Sequence, residues 1–183
     1  MLPRVALVDS DVVVALPAQR LDALTQLIEP FVSVKANAMT DAICREGMTR
    51  WREGGNENWA LAAMFSGMAL ANAGLGAVHG FAGPLGGMYD APHGALCAAL
   101  LPAVMKMNEC VAPNRERFEE VRRIVGDVGE LCRELGVKPL RVYGIRQEDF
   151  PVIIEKAAAA SSMKGNPVRL TNEQLREILD HAW

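Results

Sequence analysis

An all-α fold is what this sequence predicts, and three observations carry the prediction. Aromatic residues make up only 5% of the chain, while Ala, Leu, Val and nine methionines supply much of its apolar content. That is material for helices packed on helices, since stacked sheets favour aromatic and β-branched side chains. Apolar residues also recur at helical spacing in segment after segment, and recognisable start and stop signals divide those segments. The expected architecture is a bundle of about six to nine helices with at most a short N-terminal strand.

Taken in order, residues 4–8 (RVALV) read as that strand, closed by Asp9. Leu21, Leu24, Leu27, Ile28 and Phe31 define the first helix, with Pro30 marking its end. A second helix starts at Asn37 or Thr40 and runs to about Trp51, and residues 52–58 (REGGNEN) read as a surface loop. Glu57 or Asn58 opens a long apolar helix ending near Gly74. Residues 74–92 form a glycine-dense loop passage, and Pro92-His93-Gly94 introduces the next helix, which Pro102 bends. Amphipathic helices follow over 114–126 and 127–136. A further helix begins near Gln147 with Pro151 early in it, where the missing N–H matters least. Thr171 and Gln174 match a capping box, so a last helix runs to about Ala182.

Composition excludes several classes of function. With 183 residues, 50% hydrophobic and 22% charged, the chain is globular and roughly one domain long. Nineteen basic against 22 acidic residues, with no basic cluster, leave no electrostatic footprint for nucleic acid. Residues 58–89 lack Asp, Glu, Lys and Arg, a run longer than the ~20 residues a spanning helix needs. Asn72, His79, Pro84 and the glycines inside it favour a buried central helix instead, and no membrane association is expected. Asp9 and Asp11 interrupt the apolar N-terminal stretch, which is rejected as a secretory signal. Cys44, Cys97, Cys110 and Cys132 show no CxxC pair and read as small core residues in a reducing, cytoplasmic compartment.

Chemistry concentrates around two of the three histidines. His79 and His93 bracket the glycine-dense passage, and a loop returning on itself can aim both rings into one cavity. A carboxylate completes a common ligand set, and Asp22 is the candidate, with Gln26 at i+4 on the same helix face. The alternative is a pair of hydrogen-bonded core histidines. Gly74-Leu75-Gly76 opens like a dinucleotide fingerprint, but position 79 is His and no strand precedes it, so the match fails. No GxSxG, GxxxxGK[ST] or HExxH pattern occurs.

Residues 70–108, LANAGLGAVHGFAGPLGGMYDAPHGALCAALLPAVMKMN, resemble a signature of the iron-containing alcohol dehydrogenase family. Residues 22–33 (DALTQLIEPFVS) resemble the family's other signature, and 161–179 resemble the closing segment of one bacterial branch. The resemblance covers the chain from about Leu16. It implies the helical, metal-binding domain over residues 18–183, preceded by a tail (1–17) of an α/β dinucleotide-binding domain that this chain lacks. Carried over by position, the family's metal ligands fall on Asp22, Gln26, His79 and His93. Gln26 stands where the family usually has His, and Gly83 stands where many members have a further His. Loops before Asp22 and around residues 52–58 are shorter than usual.

The resemblance implies a divalent metal, Fe²⁺ or alternatively Zn²⁺, acting as Lewis acid on an alcohol or carbonyl oxygen. NAD(P) enters only with a dinucleotide-binding partner domain or chain. The expected function is iron-type alcohol dehydrogenase chemistry on a small alcohol or aldehyde, with the isolated chain inactive and a homo-oligomer expected. The competing expectation is a non-catalytic helical remnant serving assembly or metal binding only. Phe81, Leu85, Met88 and Tyr89 are candidate substrate walls. The face formed by residues 79–89 and the first helix is expected to be concave, apolar and open.

Overall fold

The computed structural model describes residues 5–12 and 17–183. Among them are nine α-helices and several short 3₁₀ turns, and no β-strand. Residues 5–9 have no regular structure and are exposed, which corrects the expected strand over 4–8; Arg4 lies outside the described residues. With no second strand beside them, their N–H and C=O groups have no ladder to join. Ser10–Val12 form a 3₁₀ turn next to the third helix.

Two helices organise the rest. Helix α1 (Pro17–Val32) packs on α2 (Ala38–Glu53) and α3 (Asn56–Ala73), and also on α5 (His93–Val111) and α6 (Arg115–Val125). Helix α5 touches α1, α4 (Ala77–Met88), α6, α7 (Val128–Glu134) and α9 (Asn172–Ala182). Between α7 and α9, α8 (Phe150–Ala159) leans on α4 and α9. Leu21, Leu24, Leu27, Ile28 and Phe31 are all fully buried, so the periodicity read from α1 is its core face. The same holds for Phe118, Val121 and Val125 on α6, and for Leu175, Ile178 and Leu179 on α9.

Caps set most boundaries. Asn37 and Thr40 together form a capping box at α2, and Thr171 and Gln174 form one at α9. The polar segment 52–58 is not a loop: Gly54 and Gly55 alone connect α2 to α3, because a positive φ at each turns the chain within two residues. Pro30 does not end α1, which continues to Val32 with both residues buried. Burial of that last turn offsets the cost of the proline.

The largest departure is the glycine-dense passage. Residues 77–88 are helical, not a loop, although they include Gly80, Gly83, Gly86, Gly87 and Pro84. Ala77, Val78, His79, Phe81, Ala82 and Leu85 are buried against α5 and α8, and this packing overrides weak helix propensity. The charge-free run is thereby split into α3 and α4, whose axes bend by 101°. Helix α5 is long and apolar enough to cross a membrane by length and composition, but Leu96–Leu101 lies buried in the bundle core.

Candidate metal centre

The site forms where α1, α4 and the start of α5 converge. Asp22, Gln26 and Glu29 lie at i, i+4 and i+7 on α1, one stripe beside its apolar face. Glycine lets α5 approach: a Cβ at Gly94 would sit 2.8 Å from the backbone oxygen of Ala18 and 3.5 Å from Asp22 Cβ. His93, one residue earlier, is thereby held over Asp22.

Helix α4 is started by side chains remote in sequence. Its N-cap, Gly76, supplies no side-chain acceptor, so its first amides need partners. Ala77 N–H donates to Asn166 Oδ1 (3.1 Å) and Val78 N–H donates to Glu29 Oε1 (2.7 Å). Asn166 is itself locked to Asn108 on α5 by two reciprocal amide hydrogen bonds of 2.9 Å. A Cβ at Gly76 would meet both Asn166 Oδ1 and Glu29 Oε1 at 3.0 Å, so the absence of a side chain there makes room for the acceptors.

His79, in that first turn, is oriented from behind. Its Nδ1–H donates to Glu29 Oε2 at 2.7 Å, which turns Nε2 toward Asp22. Nε2 lies 3.3 Å from Asp22 Oδ1, and His93 Nε2 lies 3.9 Å from the same oxygen. The two imidazole rings are 5.4 Å apart between centroids. Donor atoms of Asp22, His79, His93 and Cys97 all lie within 4.8 Å of one another. Asp22 Oδ1 is buried and has no well-aligned hydrogen bond, only the two imidazole Nε2 atoms opposite it, an arrangement a cation could complete.

Burial opposes a charge on His79, but Asp22, Cys97 and Glu29 outweigh it and push its pKa up to about 12. Burial likewise raises the Asp22 carboxyl, yet His79, with help from Cys97 and His93, holds it below its usual range. The Cys97 thiol is pushed up to about 11 by burial, against the pull of His79. A cation held between Asp22 and the two rings would need His79 Nε2 free of its proton.

The structure therefore brings Asp22, His79 and His93 together from three helices. Gln26 joins them differently from a ligand: its amide Nε2 donates to Asp22 Oδ2 (3.1 Å), and its Oε1 accepts from Ser66 (3.1 Å). Gln26 thus steadies the aspartate. Glu29 and Cys97 are the residues that sequence reasoning missed. Both carried a signal, Glu29 at i+7 from Asp22 and Cys97 at i+4 from His93. Cys97 is a core residue as expected, but its thiol faces the two histidines.

The expected substrate walls need correction. Phe81 and Leu85 are fully buried and point into the core. Tyr89 donates its hydroxyl to Asp149 (2.7 Å). The exposed positions of α4 are Gly83, Gly86 and Gly87, so the face over the site is lined by glycine backbone, with no exposed large apolar side chain between residues 79 and 89. A helix of this composition leaves little apolar surface outside once its large side chains have turned inward.

The fold and the donor cluster define a class: an all-helical domain with a candidate divalent-metal site built from His, Asp and Cys. Residues 18–183 match the Fe-containing alcohol dehydrogenase family, C-terminal, and the chain belongs to that family. It is 33% identical to lactaldehyde reductase of Escherichia coli K12 over 215 aligned positions, covering 100% of this chain and 56% of the relative. Identity to 1,3-propanediol dehydrogenase of Citrobacter freundii is 31% over 217 positions, with coverage of 100% and 56%. The alignments exceed the chain's own length, so these relatives carry segments that it lacks. Among solved structures, a 1,3-propanediol oxidoreductase superposes with a TM-score of 0.84 at 28% identity, covering 91% of this chain and 51% of the other. An iron-containing alcohol dehydrogenase from Thermotoga maritima gives 0.79 at 25% identity, covering 90% and 48%. The chain spans about half the length of the curated relatives it matches.

Proposed function

We propose that this chain is the metal-binding half of an iron-type alcohol dehydrogenase. In this reading it works with a dinucleotide-binding domain or chain in reversible hydride transfer between NAD(P) and a small alcohol or aldehyde. The names of the matched relatives, for lactaldehyde and 1,3-propanediol, favour a small hydroxylated substrate. All four cysteines are free, which supports a reducing, cytoplasmic setting. The observation that carries the proposal is the buried Asp22 Oδ1, without a well-aligned hydrogen bond, facing His79 Nε2 and His93 Nε2. Two imidazoles and a carboxylate fit Fe²⁺ or Zn²⁺.

A bound divalent cation supplies Lewis acidity toward the alcohol or carbonyl oxygen, and the nicotinamide supplies the redox chemistry. The chain's own residues supply position. Glu29 fixes the tautomer and the plane of His79, leaving the Nε2 lone pair for the site once its proton is displaced. Gln26 and Ser66 hold Asp22 by its second oxygen, so its first stays aimed at the histidines. His93, with half its side chain exposed beside a largely buried His79, sets the open side from which a substrate oxygen arrives.

The competing reading, a helical remnant without catalysis, is favoured by Gln26, whose amide N–H rather than its oxygen faces Asp22. One experiment separates the two. The 183-residue chain is loaded with Fe²⁺ or Zn²⁺ and mixed with a dinucleotide-binding domain from a family member, and aldehyde-dependent NAD(P)H oxidation is followed. Activity in the mixture, absent from either part alone and lost in His79→Ala, is the expected result. A metal-loaded mixture that associates but never oxidises NAD(P)H leaves the remnant.

A further inference from the structure

Cys97 is fully buried on α5, one turn after His93, and its thiol looks into the cluster. Sγ lies 3.5 Å from His93 Nε2 and 3.8 Å from His79 Nε2. Metal–donor bonds of ~2.0–2.3 Å in a tetrahedron place the donors ~3.3–3.8 Å apart. Of the six donor pairs among Asp22, His79, His93 and Cys97, four are separated by 3.3 to 3.9 Å, and all six lie within 4.8 Å. The donors already stand close to the spacing of a coordination shell. Gln26 does not, since its amide N–H is engaged with Asp22 and its oxygen faces Ser66, whose hydroxyl also reaches the Ala63 carbonyl.

We propose that Cys97, and not Gln26, supplies the fourth donor, so that the site is Asp22–His79–His93–Cys97 and selects Zn²⁺ over Fe²⁺. The inference rests on the metal-centre reading above and deepens it. A thiolate is soft, and sulfur donors shift preference toward zinc. Together with Asp22 it brings two negative charges to a dication, whereas an amide oxygen brings none. Binding exchanges the thiol proton for the metal, forming the sulfur–metal bond and releasing that proton to solvent along with the one that leaves His79 Nε2.

Cobalt(II) is the probe. Added to the reduced 183-residue chain without oxygen, it should give tetrahedral d–d bands in the visible and a thiolate-to-cobalt charge-transfer band in the near ultraviolet. Cys97→Ser should keep visible bands and lose the near-ultraviolet one, while Cys110→Ser, which alters the exposed thiol, should keep both. Zn²⁺ affinity in Cys97→Ser should fall by at least ~10–100-fold, the loss that even changes behind a ligand produce. Fe²⁺ affinity should fall less. Should Cys97→Ser fail to fold, X-ray absorption of the zinc-loaded parent decides, with one sulfur expected at ~2.3 Å. Stoichiometric cobalt binding without a thiolate band, or a band unchanged in Cys97→Ser, overturns the role of Cys97 and leaves the metal centre standing. No binding of Co²⁺, Zn²⁺ or Fe²⁺ removes the metal centre itself, and this inference with it.

Discussion

Glu29→Gln tests whether His79 is held ready for a metal. The substitution keeps shape and removes one acceptor. Glu29 is 4% exposed, and its two oxygens serve different donors. Oε1 accepts from Val78 N–H and Oε2 from His79 Nδ1–H, both at 2.7 Å. A glutamine has one oxygen for the two donors. If that oxygen stays on His79, the NH₂ group faces the Val78 N–H, donor against donor. If the amide turns over, NH₂ faces Nδ1, and the ring must carry its proton on Nε2, the atom proposed for the metal.

Either arrangement has a measurable cost. In the first, leaving a buried donor unpaired costs about 1–3 kcal/mol. For a chain of this size that lowers Tm by roughly 2–12 °C. Losing the carboxylate behind a ligating imidazole weakens metal binding by ~10–100-fold. Titration calorimetry with Zn²⁺ and a thermal melt of the metal-free chain, run on parent and variant, measure both. Metal affinity should fall in either arrangement, and Tm should fall as well where the Val78 N–H is left unpaired. Unchanged affinity together with unchanged Tm would refute the reasoning, because it would mean that Glu29 neither caps α4 nor orients His79.

Two further outcomes follow from the same geometry. Gln26→His in the parent should change Zn²⁺ affinity little, because Cys97 already completes the shell; introduced into Cys97→Ser, it should recover affinity by ~10-fold or more, and calorimetry that finds no recovery places residue 26 out of reach of the metal. Gly94→Ala should destabilise the metal-free chain by about 1–3 kcal/mol, because its Cβ would meet a backbone oxygen at 2.8 Å, and a melt unchanged from the parent would show that α1 and α5 separate freely.

Helix faces were legible in the sequence wherever a single period decided them, as in α1, α6 and α9. So was the cap at Thr171, because a capping box is a contact over three residues, while for α2 Asn37 and Thr40 stood as alternative starts and the structure uses both in one capping box. Helix α4 was not. Its glycines and Pro84 argue locally for a loop, and what makes it a helix is burial against α5 and α8 with first-turn acceptors from Glu29 and Asn166, 49 and 89 residues from the amides they cap. No local signal encodes partners at that distance. The candidate site divides the same way. Asp22, His79 and His93 were recoverable from residue type and family resemblance, while Cys97 reads as core until α5 is placed and its thiol is seen to face the rings.

Why the donors sit on α1 follows from how deeply that helix is buried. Leu21, Leu24, Leu27, Ile28 and Phe31 cover one face, and even Thr25 is fully buried, its hydroxyl donating to the Leu21 carbonyl at 2.7 Å. Polar residues on such a helix are costly unless partnered. Glu29 has two partners and Asp22 Oδ2 has one, but Asp22 Oδ1 has only imidazole nitrogens at 3.3 and 3.9 Å. The stripe is therefore complete everywhere except at the one oxygen that the histidines and Cys97 surround. A cation bound there adds stability as its concentration exceeds Kd, about 4 kcal/mol at a thousandfold excess. Fold and candidate metal site are thus coupled through a single carboxylate: the packing that buries α1 leaves Asp22 Oδ1 facing only imidazole nitrogens, and a cation bound there would sit between that oxygen and the rings.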